Sequence, residues 1–291
     1  MQKYQTFHRN PKSPQPLAPA GTCDSQFHVF GPVDKYPIRP AAVYCTPEAT
    51  IEAALNLHRT LGIKRGVIVQ SSAYGMDFRI LYDALAIAGP NYQACVVIDD
   101  SVSDKELQRL HDAGVRGARF NFWKVLNLVP TPEQFKRSIA RIEALGWYAK
   151  LHMPVDEMIE MQELFHPLKL NVVMDHFGRP EFDRGVGHPS IKFINDLLKK
   201  GSWWMMLSNG DRWSVKGKPW DDAVEFAKTY IGAAPDRMIW GSDWPHPLIP
   251  IEEPAKDDGE LIELAYRYAD NDTLRKKILV ENPAKLFGFK D

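Results

Sequence analysis

The stretch that decides the fold is Trp240-Gly241-Ser242-Asp243-Trp244-Pro245-His246-Pro247, which follows directly on the apolar pair Met238-Ile239. A short β run that breaks at Gly-Ser and then presents an aspartate delivers a carboxylate to the mouth of a barrel. Its counterpart stands near the start of the chain, at Cys23-Asp24-Ser25-Gln26-Phe27-His28-Val29-Phe30. Alternation along a strand puts Asp24, Gln26 and His28 on one face and Ser25, Phe27 and Val29 on the other. Polar groups on the inner faces of a first and a last strand meet only if the sheet closes on itself.

Between these ends the chain alternates. Apolar runs of about four to six residues recur, each followed by a helical pattern, as in βα units on a parallel sheet. Strands are expected near Thr22–Phe30, Gly66–Gln70, Ala94–Ile98, Gly117–Phe120, Tyr148–His152, Asn171–Asp175, Trp203–Leu207 and Met238–Trp240. Helices fit Thr46–Leu61, Asp77–Ala88, Asp104–Ala113, Pro132–Leu145, Val155–Phe165, Pro189–Lys199, Trp220–Gly232 and a C-terminal region from Asp257. Thr46-Pro47-Glu48 and Thr131-Pro132-Glu133 read as helix starts, with a Thr cap and Pro in the first turn. The fold expected is a single-domain (β/α)8 TIM barrel over residues 21–291, preceded by an extended arm over residues 1–20. An open doubly wound sheet is the alternative. No G-x-G-x-x-G turn follows any strand, which weakens a nucleotide-binding version of it.

Composition sets limits. The chain has 291 residues, 44% of them hydrophobic, with 36 basic and 37 acidic side chains and a net charge of −1. That balance argues against a nucleic-acid or membrane-surface partner. No run approaches the ~18 apolar residues that span a bilayer. The arm carries Lys3, His8, Arg9 and Lys12 among its prolines, has no apolar core of a signal peptide, and reads as a strap or a disordered segment. Cys23, Cys45 and Cys95 lack metal-type spacing and fit free thiols in a reducing cytoplasm. The oligomeric state is left open.

Active sites of such barrels lie at the C-terminal ends of the strands. There the sequence collects Gln26 and His28, then Gln70, Ser71 and Ser72, then Asp99 and Asp100, then Arg119 and Asn121. Lys150 and His152, Asp175 and His176, Ser208-Asn209-Gly210-Asp211-Arg212, Asp243 and His246 complete the rim. Charged groups there are costly to bury unless paired or in use.

Asp-x-x-x-His on the first strand, Gly-x-Arg-Phe-Asn-Phe on the fourth, Asp-His-x-Gly-Arg on the sixth and Trp-Gly-Ser-Asp-Trp-Pro-His on the last together resemble the amidohydrolase superfamily, within it the lactonase branch. The resemblance runs from Gly21 to Phe287. It implies a barrel with the catalytic aspartate on the eighth strand, and hydrolysis of small carboxylated lactones. Many members carry a metal-holding His-x-His on the first strand. This chain reads Gln26-Phe27-His28, a form similar to that of galactarolactone isomerases, a metal-free branch. An amide oxygen is a poor substitute for imidazole on zinc. Dicarboxylate-specific members carry a basic pair where this chain has Lys124-Val125.

Opening a lactone needs a base for water and donors for the oxygen that becomes negative. Asp243 is the expected base, with His28 and His176 as donors; the competing readings are a turn aspartate and core histidines. Arg119 and Arg212 would clamp a substrate carboxylate, against ion pairs with Asp99, Asp175 or Asp211. Ser71, Gln26, His152 and His246 complete the expected substrate contacts, and one of Lys150 and His152 is expected to face in. Trp203, Trp204 and Trp213 are candidates for a pocket wall or for core. His8, His58, His111, His166 and His188 are read as non-functional. No metal and no cofactor are expected. The alternatives are a metal-dependent amidohydrolase, hydratase or decarboxylase, and a lactone isomerase or binder.

Overall fold

The computed structural model describes residues 4–290. Eight parallel strands run in sequence order around the sheet: β1 (Cys23–Phe27), β2 (Arg65–Val69), β3 (Tyr92–Val97), β4 (Val115–Asn121), β5 (Tyr148–His152), β6 (Val172–Met174), β7 (Trp203–Leu207) and β8 (Met238–Trp240). Helices cover the outside: α1 (Ile51–Leu61), α2 (Arg79–Ala88), α3 (Asp104–Asp112), α4 (Pro132–Ala144), α5 (Val155–Glu160), α6 (Gln162–Phe165), α7 (Pro189–Lys199), α8 (Gly210–Trp213), α9 (Asp221–Ala233), α10 (Asp258–Tyr268), α11 (Asp272–Lys276) and α12 (Asn282–Phe287). This is the (β/α)8 barrel read from the sequence. Its interior is filled by Cys23, Val67, Val69, Cys95, Tyr148, Val173, Trp204, Met206 and Ile239, with Phe287 of α12 packed against this set. Such an interior is a core and not a channel.

The barrel closes at residues 240–247. Asp243 donates its backbone N–H to Gln26 O at 2.8 Å, and His28 donates to Trp244 O at 2.7 Å. A Cβ on Gly241 would stand 2.7 Å from both Cβ and N of Gln26, so glycine alone lets the two chain ends approach this closely.

The first strand departs from strict alternation. Its register against β2 shifts between Asp24 and Phe27, the mark of a β-bulge. One extra residue turns Asp24 and Phe27 both toward the helical layer, where His58 contacts each. Gln26 and His28 are turned into the mouth instead, against Asp243. The expectation that Asp24 shares their face is therefore corrected. The helix expected from Thr46 also begins later, at Ile51, capped by Thr50, whose hydroxyl accepts from Ala53 N. Residues Phe30 and Ala49 form an antiparallel bridge that holds the Thr46-Pro47 segment extended.

The arm lies over the segment that follows Asp243. Gln5 donates its backbone N–H to Ile249 O at 2.8 Å, the Phe7 ring sits 4.7 Å from that of Trp244, and Lys12 pairs with Glu263 at 2.6 Å. From Tyr4 onward it behaves as a strap; Lys3 lies outside the described residues.

Gly241→Ala is expected to lower stability by ~1–3 kcal/mol, the usual cost of overpacking. Chemical denaturation reads it, with Gly187→Ala, where an added Cβ meets nothing within 4 Å, as control. Equal denaturation midpoints for the two variants would show that the closure tolerates a side chain.

Candidate active site

Asp243 stands at the centre of the mouth, 4% exposed. Its Oδ1 accepts from Gln26 Nε2 at 2.9 Å and faces His28 Nε2 at 3.2 Å, and its Oδ2 accepts from Asn209 Nδ2 at 2.9 Å. Burial alone raises a carboxyl group. Here the facing His176, the His28 hydrogen bond and Asn209 overrule it and hold Asp243 well below the usual carboxylate range. The group is an ionised acceptor at neutral pH. His28 Nδ1 lies 2.6 Å from Val69 O. Both of its ring nitrogens thus face acceptors, and the ring donates on both sides only as the imidazolium.

His176 closes the other side. Its Nδ1 meets Ser208 Oγ at 2.8 Å, and its Nε2 lies 3.3 Å from Gln26 Nε2. Burial lowers its pKa to about 4 against the pull of Asp175 and Asp243, so the ring is neutral at pH 7. His152 is also held neutral, its pKa pushed well down by burial and by the Arg119 and Arg179 charges. Its Nδ1 meets Asn121 Oδ1 at 3.0 Å, and its Nε2 accepts from Arg179 Nη1 at 2.7 Å.

Three guanidinium groups line the same cavity, about 50 Å³, with Tyr44, Trp123, Trp213 and Leu248 among its walls. Arg119 donates Nε and Nη2 to Asp175 Oδ2 at 2.9 and 2.7 Å, and Lys150 reaches Asp175 Oδ1 at 3.1 Å. Arg179 lies over Trp123 at 3.9 Å and Trp213 at 4.8 Å. Arg212 donates Nη1 to Pro247 O at 3.0 Å. Among the described residues neither Arg179 nor Arg212 forms an ion pair. Burial and the like charges of Arg212 and Arg119 bring Arg179 down to about 10, so it remains a cation at neutral pH. Two roomier grooves, about 520 and 630 Å³, lie on the helical layer, and neither contains a histidine.

Asp243, His28, His176, Arg119, His152 and Arg212 meet in this one cavity. Gln26 touches it through its bond to Asp243. Ser71 stands behind the wall, its Oγ 2.8 Å from the Tyr44 hydroxyl. His246 turns away: its Nε2 meets Asp258 Oδ1 at 3.1 Å on α10, because the backbone at His246 takes a left-handed turn. Lys150 and His152 both point inward, as residues two apart on one strand must. Lys124 is exposed and outside the cavity. Trp213 is a wall, whereas Trp203 and Trp204 belong to the core.

Sequence reading did not assign roles to Tyr44, Trp123, Arg179 and Asn209. Arg179 ends the Asp-His-x-Gly-Arg motif and Asn209 follows β7, so both carried a signal. Tyr44 sits in an irregular loop, where no periodicity points inward. Asp243, His176, Arg179 and Asn209 all have left-handed backbone angles (φ 60, 48, 50 and 62). Such conformations cost of order 1–3 kcal/mol each and gather at functional sites.

A family model described as amidohydrolase matches residues 23–289. The chain belongs to the amidohydrolase family. A 2-pyrone-4,6-dicarboxylate hydrolase of Comamonas testosteroni is 35% identical over 290 residues, covering 97% of this chain and 94% of its own. A 4-sulfomuconolactone hydrolase of Rhizobium radiobacter is 36% identical over 272 residues, covering 93% and 91%. A protein of Acinetobacter baumannii, solved with citric acid bound, superposes with a TM-score of 0.80 at 25% identity, covering 92% of this chain and all of its own. The resemblance to the lactonase branch is thereby borne out. Among the described residues of this amidohydrolase no helix is long and apolar enough to cross a membrane, and no group of three or more His, Cys, Asp and Glu is arranged to hold a metal ion.

The folded pKa of His176, about 4, lies below the 6.5 of a free histidine. Between these values the unfolded chain binds the extra proton, so the stability that neutral His176 contributes is lost as pH falls from about 6.5 toward 4. Replacing His176 by Asn is expected to flatten the fall in denaturation midpoint across that window. An unchanged slope would show that the ring titrates normally.

Proposed function

We propose that this amidohydrolase opens a small lactone bearing at least one carboxylate, with Asp243 as general base for water and without a metal ion. One observation carries the reading: an acceptor-only carboxylate shares a cavity with two guanidinium groups that have no carboxylate partner among the described residues. Lactone hydrolase relatives and a citrate-bound structural neighbour agree with it.

Arg179 and Arg212 bind the substrate carboxylate, and the two tryptophans hold Arg179 in place. Asp243 takes a proton from water, and the resulting hydroxide attacks the lactone carbonyl carbon. The carbonyl oxygen becomes negative in a pocket of guanidinium donors, with the His28 ring nearest the base. The ring C–O bond then breaks, and the proton held by Asp243 passes to the departing ring oxygen. Arg119 is chiefly a partner of Asp175, so its loss would also unbalance a buried charge.

The donor set does not suit a divalent cation. Gln26 offers an amide where an imidazole is wanted, and its nitrogen faces Asp243. The three guanidinium groups oppose a further positive charge. We also propose a cytoplasmic location, a catabolic role for the reaction, a small molecule as its partner, and the division into an arm over residues 1–20 and one barrel over 21–291.

A screen over carboxylated pyrones and sugar-acid lactones tests the reading, following both ring opening and double-bond or ring isomerisation. Asp243→Asn is expected to cost ~10²–10⁴-fold in kcat, the usual range for a general base. Arg179→Met and Arg212→Met are expected to cost about ten- to a hundredfold in kcat/KM for the acid and little for its neutral ester. Activity should survive chelation, with far less than one equivalent of zinc, manganese or iron. Near wild-type turnover by Asp243→Asn, or loss of activity together with a stoichiometric metal, would overturn it.

A further inference from the structure

The turn that presents Asp243 is tied to a chain of buried polar groups that leads out of the barrel. Asp24, wholly buried, accepts four hydrogen bonds. Two come from Ser242, through N at 2.9 Å and Oγ at 2.5 Å, and one comes from Gln26 N at 3.1 Å. The fourth comes from His58 Nε2 of α1 at 3.2 Å. Ser242 Oγ in turn accepts from Trp244 N at 3.0 Å. Asp24 thus holds Ser242 directly and Trp244 through the Ser242 hydroxyl, the residues on both sides of Asp243.

His58 is 1% exposed. A histidine on the core face of an outer helix costs desolvation unless its polar atoms are met. Both are met. Nε2 faces the Asp24 carboxyl, and Nδ1 meets the Tyr92 hydroxyl at 2.9 Å. The ring is stacked on Tyr92, 5.7 Å away and 8° from parallel, and meets Phe27 edge-on at 4.9 Å. Its plane and both of its polar contacts are fixed.

We infer that His58, itself fixed by Tyr92, is a positioning residue for catalysis: through Asp24 and Ser242 it sets where the Asp243 carboxylate stands between Gln26 and His28. Asp243 holds a left-handed backbone angle, φ 60, which its surroundings must over-determine. With the His58 donor gone, Asp24 has a free lone pair and turns to meet it. The Ser242 contacts then loosen, and the Asp243 carboxylate is no longer pinned. Misplacing a reacting group by about 1 Å costs on the order of a hundredfold.

The inference rests on the base role proposed for Asp243, so its test has one arm with turnover and one without. His58→Phe removes the donor and keeps the ring stack, His58→Gln restores a donor, and Tyr92→Phe deletes only the hydroxyl that meets Nδ1. On the lactone that wild type opens, His58→Phe is expected to lose about ten- to a hundredfold in kcat with KM within about twofold. Tyr92→Phe should lose a few-fold, and His58→Gln should recover most of the rate. The second arm follows the imidazole 15N resonances of His28, assigned by His28→Gln. They are expected to move in His58→Phe and in Tyr92→Phe, and to return toward wild type in His58→Gln. Tyr92→Phe carries both arms if His58→Phe does not fold. A lowered melting temperature with kcat and the His28 resonances unchanged would reduce the chain to a structural staple and overturn the inference. Moved resonances in an enzyme that opens no lactone would instead uphold the coupling and sink the lactonase reading.

Discussion

Asp243 Oδ1 lies between Gln26 Nε2 and His28 Nε2, and that contact joins the two ends of the barrel. A parallel sheet of eight strands brings its first and last strands together only by closing. Closure here depends on Gly241, which has no side chain to hold β1 away. The same approach that buries the carboxylate supplies the donors that keep it ionised. Desolvation works against the charge, and the facing His176, the hydrogen bond from His28 and that from Asn209 outweigh it. A base made this way is acceptor-only and already aimed, two properties that water activation requires.

The charges of the mouth fall into two sets. Asp175 is met by Arg119, which also lines the cavity, and by Lys150, so these buried charges are paired within the protein. Arg179 and Arg212 line the same cavity with no such partner among the described residues. The depressed pKa of Arg179 reflects burial and the two neighbouring guanidinium groups, an excess of positive charge that an anionic ligand would relieve. Net charge over the whole chain, −1, says nothing of this local field. The position of each arginine relative to Asp175 separates the structural one from those available to a ligand.

Most of the fold was legible because parallel strands buried on both faces read as short apolar runs. Tyr148–His152, Trp203–Leu207 and Met238–Trp240 coincide with their expected bounds. Asp243, His28 and His176 were legible because strand ends in a barrel share one mouth. What escaped has local causes. A bulge after Asp24 breaks the two-residue period, so Asp24 faces His58 and not the cavity. A left-handed turn at His246 sends its ring to Asp258. Thr46-Pro47 has the chemistry of a helix start, but pairing of Ala49 with Phe30 outweighs it. Tyr44 lies in a loop whose course depends on tertiary contacts, here the bond to Ser71.

Closure of the barrel places an ionised, buried carboxylate at Asp243. A 13C titration of the aspartate side chains reads this most directly, with the Asp243 resonance assigned by its disappearance in Asp243→Asn. That resonance is expected to keep its ionised chemical shift from pH 8 down to the acid limit of the folded protein. A midpoint at or above the ordinary aspartate value would contradict it, since the group would then be held by its burial and not by its donors.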